Sequence, residues 1–373
     1  MTDRPNRADR PNRADRPRGA DLDGILVVAK PAGPTSHDVV ALVRRLAATR
    51  RVGHGGTLDP FATGVLPVYL GRATRLVEYH LADRKAYRAT ICFGARSTTD
   101  DLDGERTPVD GRAPSRTAVE ALLEAFRGTI TQVPPDYSAV KVAGRRAYAI
   151  ARDGAQPEVR PREVTIDRLE LVDWDETDPD RPMAVVEVDC SAGTYVRSIA
   201  RDLGRAAGNA AYLGGLSRTA SGPFHLAAAS SLEAVRAAVA DGPAGLAALL
   251  LPIDAGLEQL PRLVLTETEV VAVSRGQFIR PVAGLPGLAT PADRLIALGP
   301  DGRIVAVAGI RDGRLAPDKV LIESPPGGAT AAAGNHQGKA DDADMIAAVD
   351  AEFASELDGS SSVDPDPASP DEY

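Results

Sequence analysis

From residue 24 to residue 208 the chain switches repeatedly between two hydrophobic periods, and that switching most narrows the folds open to it. "GILVVAKPAG" reads as a strand and turn, and "SHDVVALVRRLAATR" as an amphipathic helix with Ser36 as N-cap. "KAYRATICFG" alternates as a strand, and "SRTAVEALLEAFRG" predicts a helix from a Ser115 cap to a terminal Gly128. "EVTIDRLELVDW" and "MAVVEVDCSAG" are strands, and "YVRSIARDLGRAAG" is a helix ending at Gly208. Strands and helices mix without a regular βαβ cadence. The expectation is an α+β fold: a mixed, largely antiparallel central sheet with flanking helices.

A shift near Leu251-Pro252 marks a boundary. Beyond it "RLVLTETEVVAVSRGQFIRP", "RLIALGPDGRIVAVAGIRDGRL" and "KVLI" predict short strands with Asp-Gly turns at 301–302 and 312–313. The domain plan is therefore a disordered repeat at 1–20, a catalytic domain at 21–255, a small β-rich module at 258–324 and an acidic tail at 325–373. The repeat "DRPNRA" and the tail lack the apolar surface needed to offset ordering entropy. Within the tail, "ADMIAAVDAEFASEL" has helical spacing and reads as a short docking segment.

The net charge of −9 is misleading, because residues 327–373 hold eleven Asp/Glu against one Lys and leave the rest of the chain near neutral. Local basic clusters remain at Arg44/Arg45, Arg50/Arg51, Arg84/Lys85/Arg88 and Lys141/Arg145/Arg146. Taken singly each reads as a solvated face, yet a phosphate footprint is local too, so the overall charge does not exclude nucleic acid. The two cysteines, Cys92 and Cys190, sit in alternating runs and read as buried thiols of a cytosolic protein. No apolar run approaches the ~20 residues of a membrane span, and no signal-peptide core is evident. No nucleotide-binding glycine loop appears, and the five histidines, His37, His54, His80, His225 and His336, have no zinc-like spacing.

The stretch "RRVGHGGTLDPFATGVLPV" stands out as an irregular, glycine-rich backbone that holds a carboxylate, Asp59, five residues after His54. On this loop alone Asp59 is a nucleophile, a general base, or an Asx-turn residue before Pro60.

Other stretches add weight. "GHGGTLDPFATGVLPV" is similar to the catalytic signature of the TruB family, tRNA pseudouridine synthases that modify the T loop. "KAYRATICFGARSTTDDLDG" resembles that family's second motif through Tyr87, Gly94, Asp101 and Gly104, and "CSAGTYVRSIARDLG" its third through Gly193, Thr194, Tyr195 and Arg197. "LVVAKPAGPTSHDVV" fits the opening at Lys30-Pro31, and "VPPDYSAVKVAGRRAYAIARDG" and "LGGLSRTASGPF" also fit. The likeness runs from about Leu22 to Phe224, in order, and the β-rich module that follows resembles, more weakly, the family's PUA-like RNA-binding domain.

The resemblance implies a cytoplasmic enzyme that converts uridine to pseudouridine at position 55 of tRNA, with no cofactor, no metal, no membrane and no obligatory protein partner. It implies Asp59 as nucleophile, Arg197 as its paired cation, and Tyr87 as the residue stacked under the base and its proton acceptor. Tyr195 and Leu216 then line the base pocket, Lys30 acts structurally or electrostatically, and His54 occupies the space left by the flipped nucleotide. A guide-RNA-dependent relative, an RNA-binding module without catalysis and a two-carboxylate glycoside hydrolase are the rival readings. Two departures touch RNA affinity. Gly55 stands where the family commonly has Thr, which loosens the loop. Ser217-Arg218 stands where both residues are usually basic, which removes one phosphate contact.

Overall fold

The computed structural model describes residues 22–322 except 139, 143, 241–242 and 288–292. The N-terminal repeat, the acidic tail and its helix-like 343–357 stretch lie outside the described residues. Everything below belongs to one unit, Met1–Ser324. In chain order it contains β1 (Gly24–Lys30), α1 (Ser36–Leu46), β2 (Val52–His54), β3 (Thr63–Leu70), β4 (Lys85–Phe93), α2 (Arg116–Leu123), β5 (Gly128–Gln132) and β6 (Arg162–Asp175). Next come β7 (Met183–Cys190), α3 (Val196–Ala206), β8 (Ala211–Ser221) and β9 (Ser230–Ser231). A second group holds β10 (Arg262–Val264), α4 (Glu267–Ser274), β11 (Leu295–Leu298), β12 (Ile304–Arg311) and β13 (Arg314–Val320), with shorter elements between.

The central sheet has the order β9-β1-β3-β8-β4-β7-β6-β5, with β2 paired to β3 and Phe224–His225 paired to β8. Pairing is antiparallel except for β1 with β9 and β3 with β8, so the sheet is mixed and largely antiparallel, as expected. The two halves of the sheet differ because their coverage differs. β1 and β3 are buried on both faces: Leu26, Val28, Leu66 and Val68 pack under Val39, Val40 and Val43 of α1, while Ile25, Val27, Val65 and Tyr69 pack on Ala73 and Phe224. Their near-continuous apolar runs follow from this. In the other half one face of β4 and β7 packs on Val196, Ile199, Ala200 and Leu203 of α3, and the alternation is clean.

The halves meet at β3 and β8, whose parallel contact is only Ser217↔Thr63 and Arg218↔Gly64. The approach is close enough that a Cβ on Gly64, at φ +107°, would lie 2.2 Å from the Arg218 carbonyl oxygen. Only glycine fits there. The loop holding Asp59 enters the sheet at this junction.

Several element assignments change. The N-cap of α1 is Thr35, whose side chain accepts from the Asp38 N–H while the Asp38 carboxylate accepts from the Thr35 N–H, a reciprocal capping box. Ser36 is the first helical residue, and buried. α2 is capped by Ser115 as expected but ends at Leu123, and Gly128 begins β5 instead of closing the helix. "TETEVVAVS", expected within strand, forms α4, started by a second capping box between Thr266 and Glu269. The four-stranded second sheet, order β10-β11-β12-β13, closes its own core around Leu263, Val273, Leu295, Val305 and Leu315. Both cysteines are free, Cys190 buried and Cys92 half-buried. Among the described residues no helix is long and apolar enough to cross a membrane.

Candidate active site

Residues 55–62 form an irregular loop whose backbone groups are nonetheless partnered. The Gly55 N–H donates to Pro67 O at 2.9 Å, the Gly33 N–H to Pro60 O at 2.9 Å and the Ala62 N–H to Asp59 O at 3.1 Å. The Ser36 hydroxyl donates to Leu58 O at 3.1 Å and accepts from the Leu58 N–H at 2.9 Å, which pins the loop to the start of α1 beside Asp59. From the other side the Lys30 ammonium, 1% exposed, donates to Pro60 O at 3.1 Å and Ala62 O at 2.6 Å. These bonds supply what a loop without regular structure lacks, and they leave the Asp59 side chain free to face elsewhere.

It faces Arg197. The guanidinium meets both carboxylate oxygens, Nε to Oδ2 at 3.2 Å and Nη2 to Oδ1 at 3.3 Å, a fork that fixes orientation as well as charge. The Asx-turn alternative fails, because the hydrogen bonds of this carboxylate run to arginine and not to its own turn. Arg197 also donates through Nη1 to Asp101 Oδ2 at 3.2 Å and through Nη2 to Tyr137 O at 3.0 Å. One buried cation thus serves two carboxylates. Four residues on, Arg201 takes the neighbouring Asp100 at 2.9 Å. An arginine pair at i and i+4 on one face of α3 therefore engages an adjacent aspartate pair.

α3 is held at its start by Gln132 on β5. Its amide accepts from the Tyr195 N–H at 2.8 Å and donates to Tyr195 O at 3.0 Å, while the Arg162 guanidinium lies 4.6 Å from the Tyr195 ring centre. Tyr87, on β4, is paired across strands with Arg218 and packs against the same apolar cluster as α3. Leu216 packs on that cluster too, and its carbonyl accepts from the Thr63 hydroxyl at 3.4 Å, beside the loop. His54, at the end of β2, meets the His37 ring edge-on at 5.3 Å, and its Nδ1 is buried without a partner.

Burial and neighbouring charge decide the electrostatics. Desolvation pushes the Asp59 carboxyl above its ordinary value, with Arg197 and Lys30 pulling it back and Asp101 and Asp103 adding to the rise. The carboxylate therefore depends on its arginine to stay ionised. Burial, then His37 and Arg218, lower His54 to about 4, so the ring is neutral near pH 7. Burial lowers Lys30 against the opposing pull of Asp59. Burial raises the Tyr87 phenol, and Arg218 opposes that rise.

The structure thus gathers Asp59, Arg197, Lys30, Tyr87 and Leu216 around the β3–β8 junction, with His54 at the far end of the loop and Tyr195 at the head of the arginine helix. Sequence reasoning missed Asp101 as a second partner of Arg197, although the spacing of Arg197 and Arg201 and the Asp100-Asp101 pair were readable signals. It missed Ser36 and Gln132, which nothing local marks. It gave Arg218 no role beyond membership of a usually basic pair, whereas Arg218 is 1% exposed and bonds to Val65 O and Gly56 O. Gly55 is likewise not a slack point: the Tyr69 ring fills the space its side chain would take, within 3.0 Å. Among the described residues no cluster of His, Cys, Asp or Glu could hold a metal ion.

The backbone superposes with a TM-score of 0.61 on a chain from the crystal structure of a Cbf5-Nop10-Gar1 complex, at 26% identity, covering 83% of this chain and 89% of that one. Fold and site together define the class as pseudouridine synthase. A model of the TruB family pseudouridylate synthase N-terminal domain matches residues 44–196, and a tRNA pseudouridylate synthase B C-terminal domain model matches residues 197–258. The chain belongs to the TruB family. A relative named tRNA pseudouridine synthase B from Bradyrhizobium diazoefficiens is 42% identical over 76% of this chain and 83% of its own. Another of that name from Gloeobacter violaceus is 52% identical over 58% of this chain and 74% of its own.

Proposed function

We propose that this chain isomerises a uridine of tRNA to pseudouridine, acting at position 55 in the T loop, with Asp59 as the nucleophile and no cofactor. The observation that carries the reading is the forked pair of Asp59 and Arg197 on a loop whose backbone is tied down on both sides. A carboxylate so placed forms and later breaks one covalent bond without moving.

The target uridine lies within a folded loop and must be turned out first, at about a few kcal/mol. His54, neutral and with Nδ1 unsatisfied, suits the space that the nucleotide leaves, since it offers a ring face and an acceptor or donor without a charge to desolvate. Asp59 then bonds to C1′ as the N1–C1′ bond breaks, and the uracil, released with that electron pair as its anion, rotates between Tyr87 and the pocket side chains Tyr195 and Leu216. C5 bonds to C1′ as the bond from Asp59 to C1′ breaks, the C5 hydrogen leaves as a proton to solvent, relayed by the Tyr87 hydroxyl giving up its own proton as it takes this one, and N1 takes a proton. Arg197 keeps Asp59 ionised against its burial. Lys30, on the carbonyls of Pro60 and Ala62, holds the segment immediately after the nucleophile.

The second sheet, within 258–324, serves as the PUA-like RNA-binding part, and the enzyme works without a protein partner. The relatives' name, tRNA pseudouridine synthase B, supports tRNA as the substrate, and the stand-alone reading is separated from the assembly named for the Cbf5 structure by the test that follows.

The test is tritium release from C5-labelled uridine in a T-arm stem-loop with purified protein and no metal. Wild type should release it. Asp59→Ala and Asp59→Asn should not, while still binding the RNA. Turnover by both variants would remove Asp59 from the reaction, and a wild type active only with added proteins would restore the guide-RNA reading.

A further inference from the structure

The loop around Asp59 is gripped by a second buried cation. Arg218 is among the largest fully buried side chains, and no carboxylate of the described residues lies within ion-pair distance of it. Its guanidinium ties the loop to the strand that follows it: Nη2 to Gly56 O of the loop at 3.1 Å and Nε to Val65 O of β3 at 2.8 Å. Lys30 holds Pro60 O and Ala62 O between those points. The Arg218 backbone pairs with Gly64 on one side and Tyr87 on the other, so this residue stands between the strand that follows the nucleophile and the strand that carries the tyrosine. A buried guanidinium without a counter-charge suffers a large desolvation penalty. A chain that retains one, aimed at two carbonyls that bracket a reactive carboxylate in sequence, uses it for geometry.

We propose that Arg218 is a positioning residue, not an RNA contact: by bridging Gly56 and Val65 it locks the 55–62 loop against β3 in the arrangement in which Asp59 reaches the sugar, and holds it in register with Tyr87. The inference rests on the synthase reading above. Lysine in its place keeps the charge but, as a single point of donation, does not span Gly56 O and Val65 O together. Small misplacements of a reacting group lower rates by about 100-fold per ångström.

The experiment compares wild type, Arg218→Lys and Arg218→Met for single-turnover pseudouridine formation on a T-arm stem-loop, RNA affinity across salt, and melting temperature. The expected result is a rate lowered by about 10- to 100-fold in Arg218→Lys, and further in Arg218→Met. RNA affinity should stay within about twofold and the salt slope should not change, since no phosphate contact is lost. A wild-type rate in Arg218→Lys overturns the proposal. So does a loss of affinity with a slope smaller by about one, the mark of a phosphate ligand. A rate restored on cooling well below a lowered melting temperature overturns it in favour of plain support of the fold. An inactive wild type would defeat the synthase reading and this inference with it, whereas an active wild type with unimpaired variants defeats this inference alone.

Discussion

At the residue scale, Arg197 and His54 show how burial turns ordinary side chains into specialised ones. Arg197, shared by Asp59 and Asp101, leaves two carboxylates facing each other if removed. Arg197→Met should lose turnover and, as a broken buried pair, about 3–5 kcal/mol of stability. Arg197→Lys should recover part of the stability but little of the rate, because an ammonium does not form the fork. Calorimetry beside single-turnover assays checks both, and equal recovery of the two would show that charge alone suffices. His54 makes a pH prediction. The folded ring takes its proton only near pH 4, whereas the unfolded one takes it near 6.5. Below 6.5 the unfolded state therefore binds more protons, and stability falls as pH drops through that window, by up to about 3 kcal/mol. His54→Gln should flatten the fall in urea midpoint between pH 7 and 4; the same slope in both proteins would contradict a buried neutral ring. Asp59, Tyr87 and Arg197 were legible in the sequence through the motifs around them. Arg218 was not, because an arginine in "LSRTAS" reads as surface until the strand carrying it is laid between two others.

At the element scale, the errors came where two neighbouring residues share a propensity. Thr35 and Ser36 are both N-cap residues, and Asp38 decides for Thr35 because it sits three positions on and closes the box. That choice releases Ser36 to hold Leu58, so a one-residue shift in a helix start connects α1 to the reactive loop. "TETEVVAVS" reads as strand from its valines, yet Thr266 and Glu269 spelled the same box. Gly55 belongs here as well. A methyl there would stand 3.0 Å from Tyr69 Cε2 and 3.2 Å from its hydroxyl, with Tyr69 fully buried. Overpacking typically costs about 1–3 kcal/mol, more than the roughly 0.4–1 kcal/mol gained from a stiffer unfolded chain. Gly55→Ala should therefore destabilise by about 1 kcal/mol net, measured by denaturant midpoint, and the loss should vanish in a Tyr69→Val background. A neutral or stabilising Gly55→Ala would mean the loop has slack after all.

At the scale of the whole molecule, a cavity of about 1190 Å³ opens beside Arg50, Arg51, Arg72 and Arg303, walled by the segments that flank β1, β2 and β3 and by α4 and the turn before β12. Arg72 is engaged by Asp23 at 2.6 Å and Arg303 by Asp301 at 3.4 Å, whereas Arg50 and Arg51 make no ion pair among the described residues. These two precede the strand that ends at His54, so under the proposed function they are cations placed to meet phosphate near a turned-out nucleotide. RNA affinity should fall steeply with salt. Arg50→Ala and Arg51→Ala should each weaken binding and reduce the salt slope by about one, as read by filter binding at several ionic strengths. Unchanged slopes would place the phosphate path elsewhere.

The sequence by itself determined the class of fold, because hydrophobic period and turn chemistry are local, and its contiguous motifs singled out Asp59, Tyr87 and Arg197 as the candidates. The tertiary structure alone decided which charges are paired and which are buried without a partner. Asp101 reaches Arg197 across 96 residues, and Arg218 reaches the carbonyls of Gly56 and Val65 across 162 and 153. Such distances carry no local signal. They arise only when a short parallel contact closes two half-sheets on a glycine and buries Arg197, Asp101 and Arg218 there, and it is that burial which ties one arginine to a carboxylate and makes the other a clamp.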